Sequence, residues 1–289
     1  MAKTVDKVLP AEKNTSVNPP KSSKRLPIVV CLDVSPSMFN YDRYINQNIA
    51  LREFLKQIAS VEKAWNVVEI AFVTFADDII LQTDYMPLWD LHFPDTVVTT
   101  TATVTHMNYS GQQESTLVIP VFEPLKRPAC TEFPRAVDHS LKMLQNRLSD
   151  LSKSSTGHYV PFLVVVTDGN PDSQDYQSME SDGYRDEEDK VYYHLKRWCD
   201  PMRSMDQLIL PFFVGIGDEG VDFTSLRRLA SAFPSALCTV DDSEDSVYRL
   251  GTVFTAMASA ITKSINYTNT QQLLRVVEAE IGKAKKQKS

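Results

Sequence analysis

The 289-residue sequence is poor in the residues that mark several protein classes. Its 9 glycines and 16 prolines are too few for a collagen-like or low-complexity chain. The 4 cysteines, Cys31, Cys130, Cys199 and Cys238, form no CxxC pair, so zinc ribbons and thioredoxin-type redox motifs lack their ligands. With no secretion signal in view, a disulfide framework is not expected. The five histidines are scattered, without HExxH or any paired spacing. The longest apolar stretches, Ile28–Leu32, Phe162–Val166 and Leu208–Ile216, fall short of the roughly 18–20 residues that a membrane helix needs. The first 26 residues hold no apolar run resembling a signal peptide, and the expectation is a soluble, cytoplasmic protein. A phosphate-binding GxxxxGK[ST] loop is missing too, and Gly215-Ile-Gly217 lacks a third glycine and reads as a turn.

What is present is ample core material, with 43% hydrophobic and 23% charged residues. Charge is unevenly spread. The first 26 residues carry six basic against two acidic residues, and the last 15 carry five against two; with −7 overall, the body between them carries −14. An acidic body repels phosphate, so nucleic acid is not an expected partner of the core. The basic ends read as solvated tails before they read as binding segments.

Residues 1–26 lack periodicity and read as a flexible basic arm. The apolar run Ile28–Leu32 then predicts a buried strand ending at Asp33. Ile45, Ile49, Phe54, Leu55 and Ile58 recur at helical spacing and predict an amphipathic helix over 43–60. Strand and helix patterns alternate from there: strands at Val67–Phe75, Ile79–Leu81, Phe162–Val166, Leu208–Ile216 and Ala236–Val240, and helices around Phe133–Leu148, Val191–Met202, Asp222–Ala230 and Val247–Ile265. The fold class this predicts is α/β, a doubly wound, mostly parallel sheet with helices on both faces, spanning 27–267. Residues 268–289 read as a short amphipathic helix on Leu273, Leu274, Val277 and Ile281 that docks back on the body or else captures a partner, followed by a Lys-rich tail. One stretch, 87–130, has no helical period. Its β-branched runs Thr96–Thr105 and Thr116–Phe122, separated by a Tyr109-Ser110-Gly111 turn, predict an inserted hairpin that either extends the sheet edge or offers a recognition surface.

Three places set oxygen ligands at the ends of predicted elements: Asp33-Val34-Ser35-Pro36-Ser37 after the first strand, Thr131 before a helix, and Asp168-Gly169 after Phe162–Val166. Ligands of doubly wound sheets bind at the carboxyl ends of the strands, where chain direction reverses. Taken singly, Thr131 reads as a helix N-cap, the serines as turn residues and Asp168-Gly169 as an ordinary turn. Taken together they read as a hard-oxygen cation site suited to Mg²⁺, Mn²⁺ or Ca²⁺.

On these residues the sequence resembles a von Willebrand factor A (VWA) domain. Asp33, Ser35 and Ser37 match its DxSxS motif, and Thr131 and Asp168 match its distant Thr and Asp, the set called the metal-ion-dependent adhesion site (MIDAS). Pro36 between the serines and Ala129-Cys130 before Thr131 depart from the family's small residues, and an acidic run (Asp172, Asp175, Glu180, Asp182 and Asp186–Asp189) follows the site. The resemblance implies a metal-dependent protein-interaction module, not an enzyme, whose partner donates a carboxylate to the cation across a rim of Pro36, Met38, Cys130, Gly169 and Asn170. Val164–Pro171 (VVVTDGNP) and Leu250–Ile265 (LGTVFTAMASAITKSI) further resemble the bacterial TerY-like, tellurium-resistance-associated subgroup. That subgroup implies an adaptor in a stress-response or defence system, with a protein phosphatase or kinase as partner. Two other readings compete: a HAD-like phosphohydrolase, which needs a second acid where Ser35 stands, and a structural subunit with a vestigial metal site.

Overall fold

The computed structural model describes residues 24–286 except 109–110, 128, 130, 170–181, 201, 219–220, 234–236 and 244. Strands are β1 (Lys24–Asp33), β2 (Val68–Phe75), β3 (Ile79–Pro87), β4 (Val98–Asn108), β5 (Gly111–Val121), β6 (Gly157–His158), β7 (Phe162–Thr167), β8 (Leu210–Ile216) and β9 (Leu237–Val240). The central sheet runs β3-β2-β1-β7-β8-β9, with β6 beside the start of β1. All neighbours are parallel except β2 and β3, whose pairing is antiparallel and interrupted by register shifts between Ile70 and Val73. From β1 the chain builds outward to β2 and β3, then returns to the other side of β1 with β7. The reversal point therefore lies between the carboxyl ends of β1 and β7, at Asp33 and Asp168.

Helices are α1 (Arg43–Ala59), α2 (Glu62–Val67), α3 (Phe133–Lys153), α4 (Asp182–Trp198), α5 (Thr224–Ala230), α6 (Ser246–Ser264) and α7 (Thr270–Lys286). Helix α3 lies on β1, β2 and β7 and against α4, which meets α5; α1, α6 and α7 pack side by side as a separate layer. Strands β2, β7 and β8 are buried along their whole length and β1 from Leu26 onward, as a parallel sheet covered on both faces requires. Phe54 of α1 meets Phe254 of α6 edge-on with ring centroids 5.7 Å apart, a geometry worth about 0.5–1.5 kcal/mol beyond its buried area. Cys31 and Cys199 are buried core thiols, and burial pushes Cys31 up to about 12, so neither is set up as a nucleophile.

Three local expectations change. The predicted buried face of α1 holds at Phe54, Leu55 and Ile58 but not in the first half of the helix, where Ile45 and Ile49 are 39% and 43% exposed while Arg43, Asn46 and Gln47 are buried. Arg43 meets two aspartates, Asn46 donates to Ser246 (3.0 Å) and Gln47 Nε2 donates to the Asp33 carbonyl (3.5 Å), while the buried Gln47 Oε1 has no hydrogen-bond partner. The hairpin β4–β5 does not extend the main sheet. It forms its own two-stranded sheet with an unbroken ladder from Val98–Val121 to Asn108–Gly111, and packs Ala102, Val104, Leu117 and Ile119 inward beside α1 and α2. Its turn residues 109–110 lie outside the described residues. Met202, counted with the buried face of α4, lies beyond that helix and is 89% exposed.

The C-terminal helix α7 lies on α6, burying Leu273, Leu274, Val277 and Ile281. Glu280 fastens it by accepting from Lys263 (2.7 Å) and Ser259 (2.9 Å) of α6 and from its own neighbour Lys283 (2.6 Å).

Candidate functional site

The carboxyl end of β1 carries Asp33, which is fully buried. Its Oδ1 accepts the backbone N–H of Ser35 (2.8 Å), closing a tight turn, and its Oδ2 accepts the Thr167 hydroxyl (2.6 Å) from the end of β7. The Ser35 and Ser37 hydroxyls lie 2.9 Å apart. Pro36 starts a 3-10 segment over Pro36–Asp42, since its fixed φ suits a first helical turn. That turn brings Ser37 back over Ser35 and leaves Pro36 and Ser37 half-buried at the surface.

Asp168 follows Thr167 and is likewise fully buried. The Thr167 hydroxyl also accepts the N–H of Gly169 (2.9 Å), so one side chain joins the two aspartate loops. Gly169 has φ +65°, and a Cβ there would lie 2.7 Å from Phe223 Cδ1; only glycine fits. Thr131 is buried and stands at the same end of the sheet, because Glu132 N–H donates to the carbonyl of Ala76 (2.7 Å), just past β2. Thr131 is not the cap of α3. The N-cap is Glu132, without a side-chain cap bond, so the Thr131 hydroxyl is not consumed by the helix. No described hydrogen bond links it to the aspartates.

Five residues of the sequence motif are thus placed as follows. Asp33, Ser35 and Asp168 are buried at the reversal point with Ser37 half-buried beside them, and Thr131 is buried at the same end of the sheet. Of the rim residues, Pro36 and Gly169 are half-buried, and Met38 is fully buried, pulled into the core by the 3-10 turn, where no partner reaches it. Cys130, Asn170 and the acidic residues Asp172, Asp175 and Glu180 lie outside the described residues. The side chains exposed beside the loop are instead Phe39 (38%) and Tyr41 (69%).

Arg43, the first residue of α1, was not visible as a site residue and is central to it. It is 4% exposed, and its Nη1 donates to Asp168 Oδ2 (3.0 Å). Its Nε and Nη2 grip Asp242, after β9, at 2.9 Å and 2.5 Å. The chain reaches this arrangement through two consecutive left-handed residues, Tyr41 (φ 53°) and Asp42 (φ 56°), a rare backbone for non-glycine residues that turns Arg43 inward.

The charges of this cluster are not evenly balanced. Burial, and after it the charge of Asp168, push the Asp33 carboxyl well above the ordinary carboxylate range, against the hydrogen bonds of Ser35 and Thr167 that favour the anion. Burial pulls Arg43 down, but Asp242 and Asp168 outweigh it and keep the guanidinium charged. One guanidinium thus serves Asp168 and Asp242, while Asp33 has only neutral donors. Hydroxyl and carboxylate oxygens are the donor set of hard divalent cations. Among the described residues no three His, Cys, Asp or Glu side chains converge, and the hydroxyls of Ser35 and Ser37 stand beside the Asp33 carboxylate as further oxygen donors. The donors fit such an ion.

No family model matches the sequence, and comparison with curated proteins found no match. Solved structures similar in shape include BatB from Bacteroides thetaiotaomicron (12% identity, TM-score 0.46, covering 84% of this chain and 100% of that one). The SpRpn10 VWA domain is another (12%, TM-score 0.45, 79% and 94%). A third is proximal thread matrix protein 1 of the mussel byssus with a zinc-occupied MIDAS motif (13%, TM-score 0.42, 82% of this chain and 47% of that one). At such identities and TM-scores these likenesses carry no functional argument. Among the described residues no helix is long and apolar enough to cross a membrane.

Proposed function

We propose that this chain is a VWA-type interaction module, residues 27–267 with a β-rich insertion at 87–130, in which Asp33, Ser35, Ser37, Thr131 and Asp168 hold a divalent cation for recognition of a protein carboxylate. The observation that carries the reading is the pair of fully buried aspartates at the sheet's reversal point, joined through Thr167 and flanked by two serine hydroxyls. Such a pair is costly to bury without positive charge. When bound, Mg²⁺, Mn²⁺ or Ca²⁺ supplies that charge and a Lewis-acidic position that a partner's Asp or Glu can occupy. The chain's residues do the rest: Ser35 N–H and Thr167 orient Asp33, the serines present neutral oxygens, and exposed Phe39 and Tyr41 offer apolar surface beside the loop.

The phosphohydrolase reading loses its chemistry at Ser35, whose hydroxyl is paired with Ser37 and is no acid to shuttle a proton. A cation-free structural site has one observation in its favour, the Arg43–Asp168 pair. Against it, the same Arg43 is gripped on two atoms by Asp242, so its single charge does not neutralise both site aspartates. By the TerY-like resemblance of 164–171 and 250–265, the module serves as an adaptor in a bacterial stress-response system, with a protein phosphatase or kinase as its partner, in the cytoplasm.

Affinity capture with the full chain tests the reading. A defined partner retained in Mg²⁺, lost in EDTA and lost in Asp33→Ala/Ser35→Ala is the expected result. The same partner retained in EDTA and by the variant overturns it.

A further inference from the structure

We infer that Arg43 is the positioning residue that sets the size preference of the cation site, selecting a small six-coordinate ion (Mg²⁺ or Mn²⁺) over Ca²⁺; this rests on the cation reading above. A guanidinium is a planar fork. One edge of Arg43 (Nε and Nη2) takes both oxygens of Asp242, and the remaining Nη1 takes Oδ2 of Asp168 at 3.0 Å. Gly217 borders this fork: a Cβ there would lie 2.5 Å from Val221 Cγ2 and 3.3 Å from Arg43 Nη2.

The consequence lies in how the two site carboxylates can meet an ion. Oδ2 of Asp168 already faces a full positive charge, which opposes a second cation on that oxygen. Oδ1 and Oδ2 of Asp33 each accept a hydrogen bond, from Ser35 N–H and the Thr167 hydroxyl. A clasp of one ion by both oxygens of either carboxylate would thus compete with these bonds for the oxygens' lone pairs. Ca²⁺ takes six to eight oxygens at about 2.3–2.6 Å and commonly uses bidentate carboxylates, whereas Mg²⁺ takes six at about 2.0–2.1 Å and keeps waters. That competition bears harder on the larger ion, which needs more protein oxygens, than on the smaller one, which keeps waters. Lysine in place of Arg43 has the charge but not the fork, so it cannot hold Asp242 and Asp168 in these orientations together.

The test uses the full chain stripped of metal, with Mn²⁺ binding followed by its EPR signal and displaced by Mg²⁺ or Ca²⁺. Wild type is expected to give up Mn²⁺ to Mg²⁺ more readily than to Ca²⁺. Arg43→Gln/Asp242→Asn removes one charge of each sign, leaving net charge unchanged, and is expected to lower the Mg²⁺/Ca²⁺ preference tenfold or more. Arg43→Lys, which leaves no buried carboxylate without a cation nearby, is expected to lower it in the same direction and carries the comparison if the double variant does not fold. A wild type that prefers Ca²⁺, or a preference unchanged in a folded variant that still binds Mn²⁺, overturns the role of Arg43. A wild type that binds no Mn²⁺ overturns the cation reading itself, and this inference with it.

Discussion

Gly169 joins the fold to the site, and Gly169→Ala tests that connection. Two costs arise. At φ +65° an alanine meets the left-handed penalty of roughly 1–2 kcal/mol. Its Cβ would also sit 2.7 Å from Cδ1 and 3.1 Å from Cε1 of Phe223, a buried ring. Overpacking of that kind costs about 1–3 kcal/mol, giving about 2–5 kcal/mol in all. For a body of this size each kcal/mol lowers the melting temperature by about 2–4 °C, so a fall of about 4–20 °C is expected by differential scanning calorimetry. The shift also reaches the site. Gly169 N–H is held by the Thr167 hydroxyl, and that hydroxyl orients Asp33, so cation affinity should fall along with stability. Phe223→Leu in the alanine background should return the steric share and leave the backbone share. Wild-type stability and cation affinity in Gly169→Ala would refute the reasoning, and complete recovery by Phe223→Leu would refute the backbone share.

Two further predictions concern the flanks of the domain. Burial raises the Glu280 carboxyl, but Lys263, Lys283 and Ser259 outweigh it and hold it at about 2, below its ordinary 4.5. A depressed acid stabilises above its unfolded value, so this contribution is whole above about pH 4.5 and disappears as pH falls toward 2. Because Lys263 and Lys283 are 47% and 65% exposed, we expect only about 1–2 kcal/mol, visible in urea melts as a pH dependence between 4.5 and 2 that Glu280→Gln lacks; parallel curves for the two proteins would contradict it. His106 on β4 is buried against Trp65, with ring centroids 4.7 Å apart and no hydrogen bond of ordinary geometry at either nitrogen. Burial lowers its pKa, although Glu62 pulls the other way, so the packing it provides is whole above about pH 6.5 and weakens as pH falls below that value. His106→Phe should slow hydrogen exchange along β4–β5 at pH 5 relative to wild type, and equal rates would count against this account.

How much of this was legible from sequence follows from where each interaction lies along the chain. Asp33 and Asp168 were readable because apolar runs end on them, and β-strand burial is a local pattern. The hairpin was readable from its β-branched runs, but its separation from the main sheet was not, because the choice of packing partner is long-range. Arg43 was hidden. In sequence it is an ordinary helix-opening cation, and its partners lie 125 and 199 residues away. The same long-range bonds hold the first turns of α1, where Ile45 and Ile49, apolar at helical spacing, face outward while Asn46 and Gln47 turn in. Met38 was misplaced because a motif loop suggests exposure, whereas Pro36 starts a turn that buries it. Thr167, the hydroxyl that joins both aspartate loops, left only the weak signal of a polar residue ending an apolar strand.

The central claim is that the Asp33–Asp168 cluster holds a divalent cation, and isothermal titration of the metal-stripped full chain with Mg²⁺ tests it most directly. The account predicts one saturable site per chain, lost in Asp33→Ala/Ser35→Ala while circular dichroism shows the fold retained. Absence of binding by the wild type, or unaltered binding by the folded variant, would contradict it.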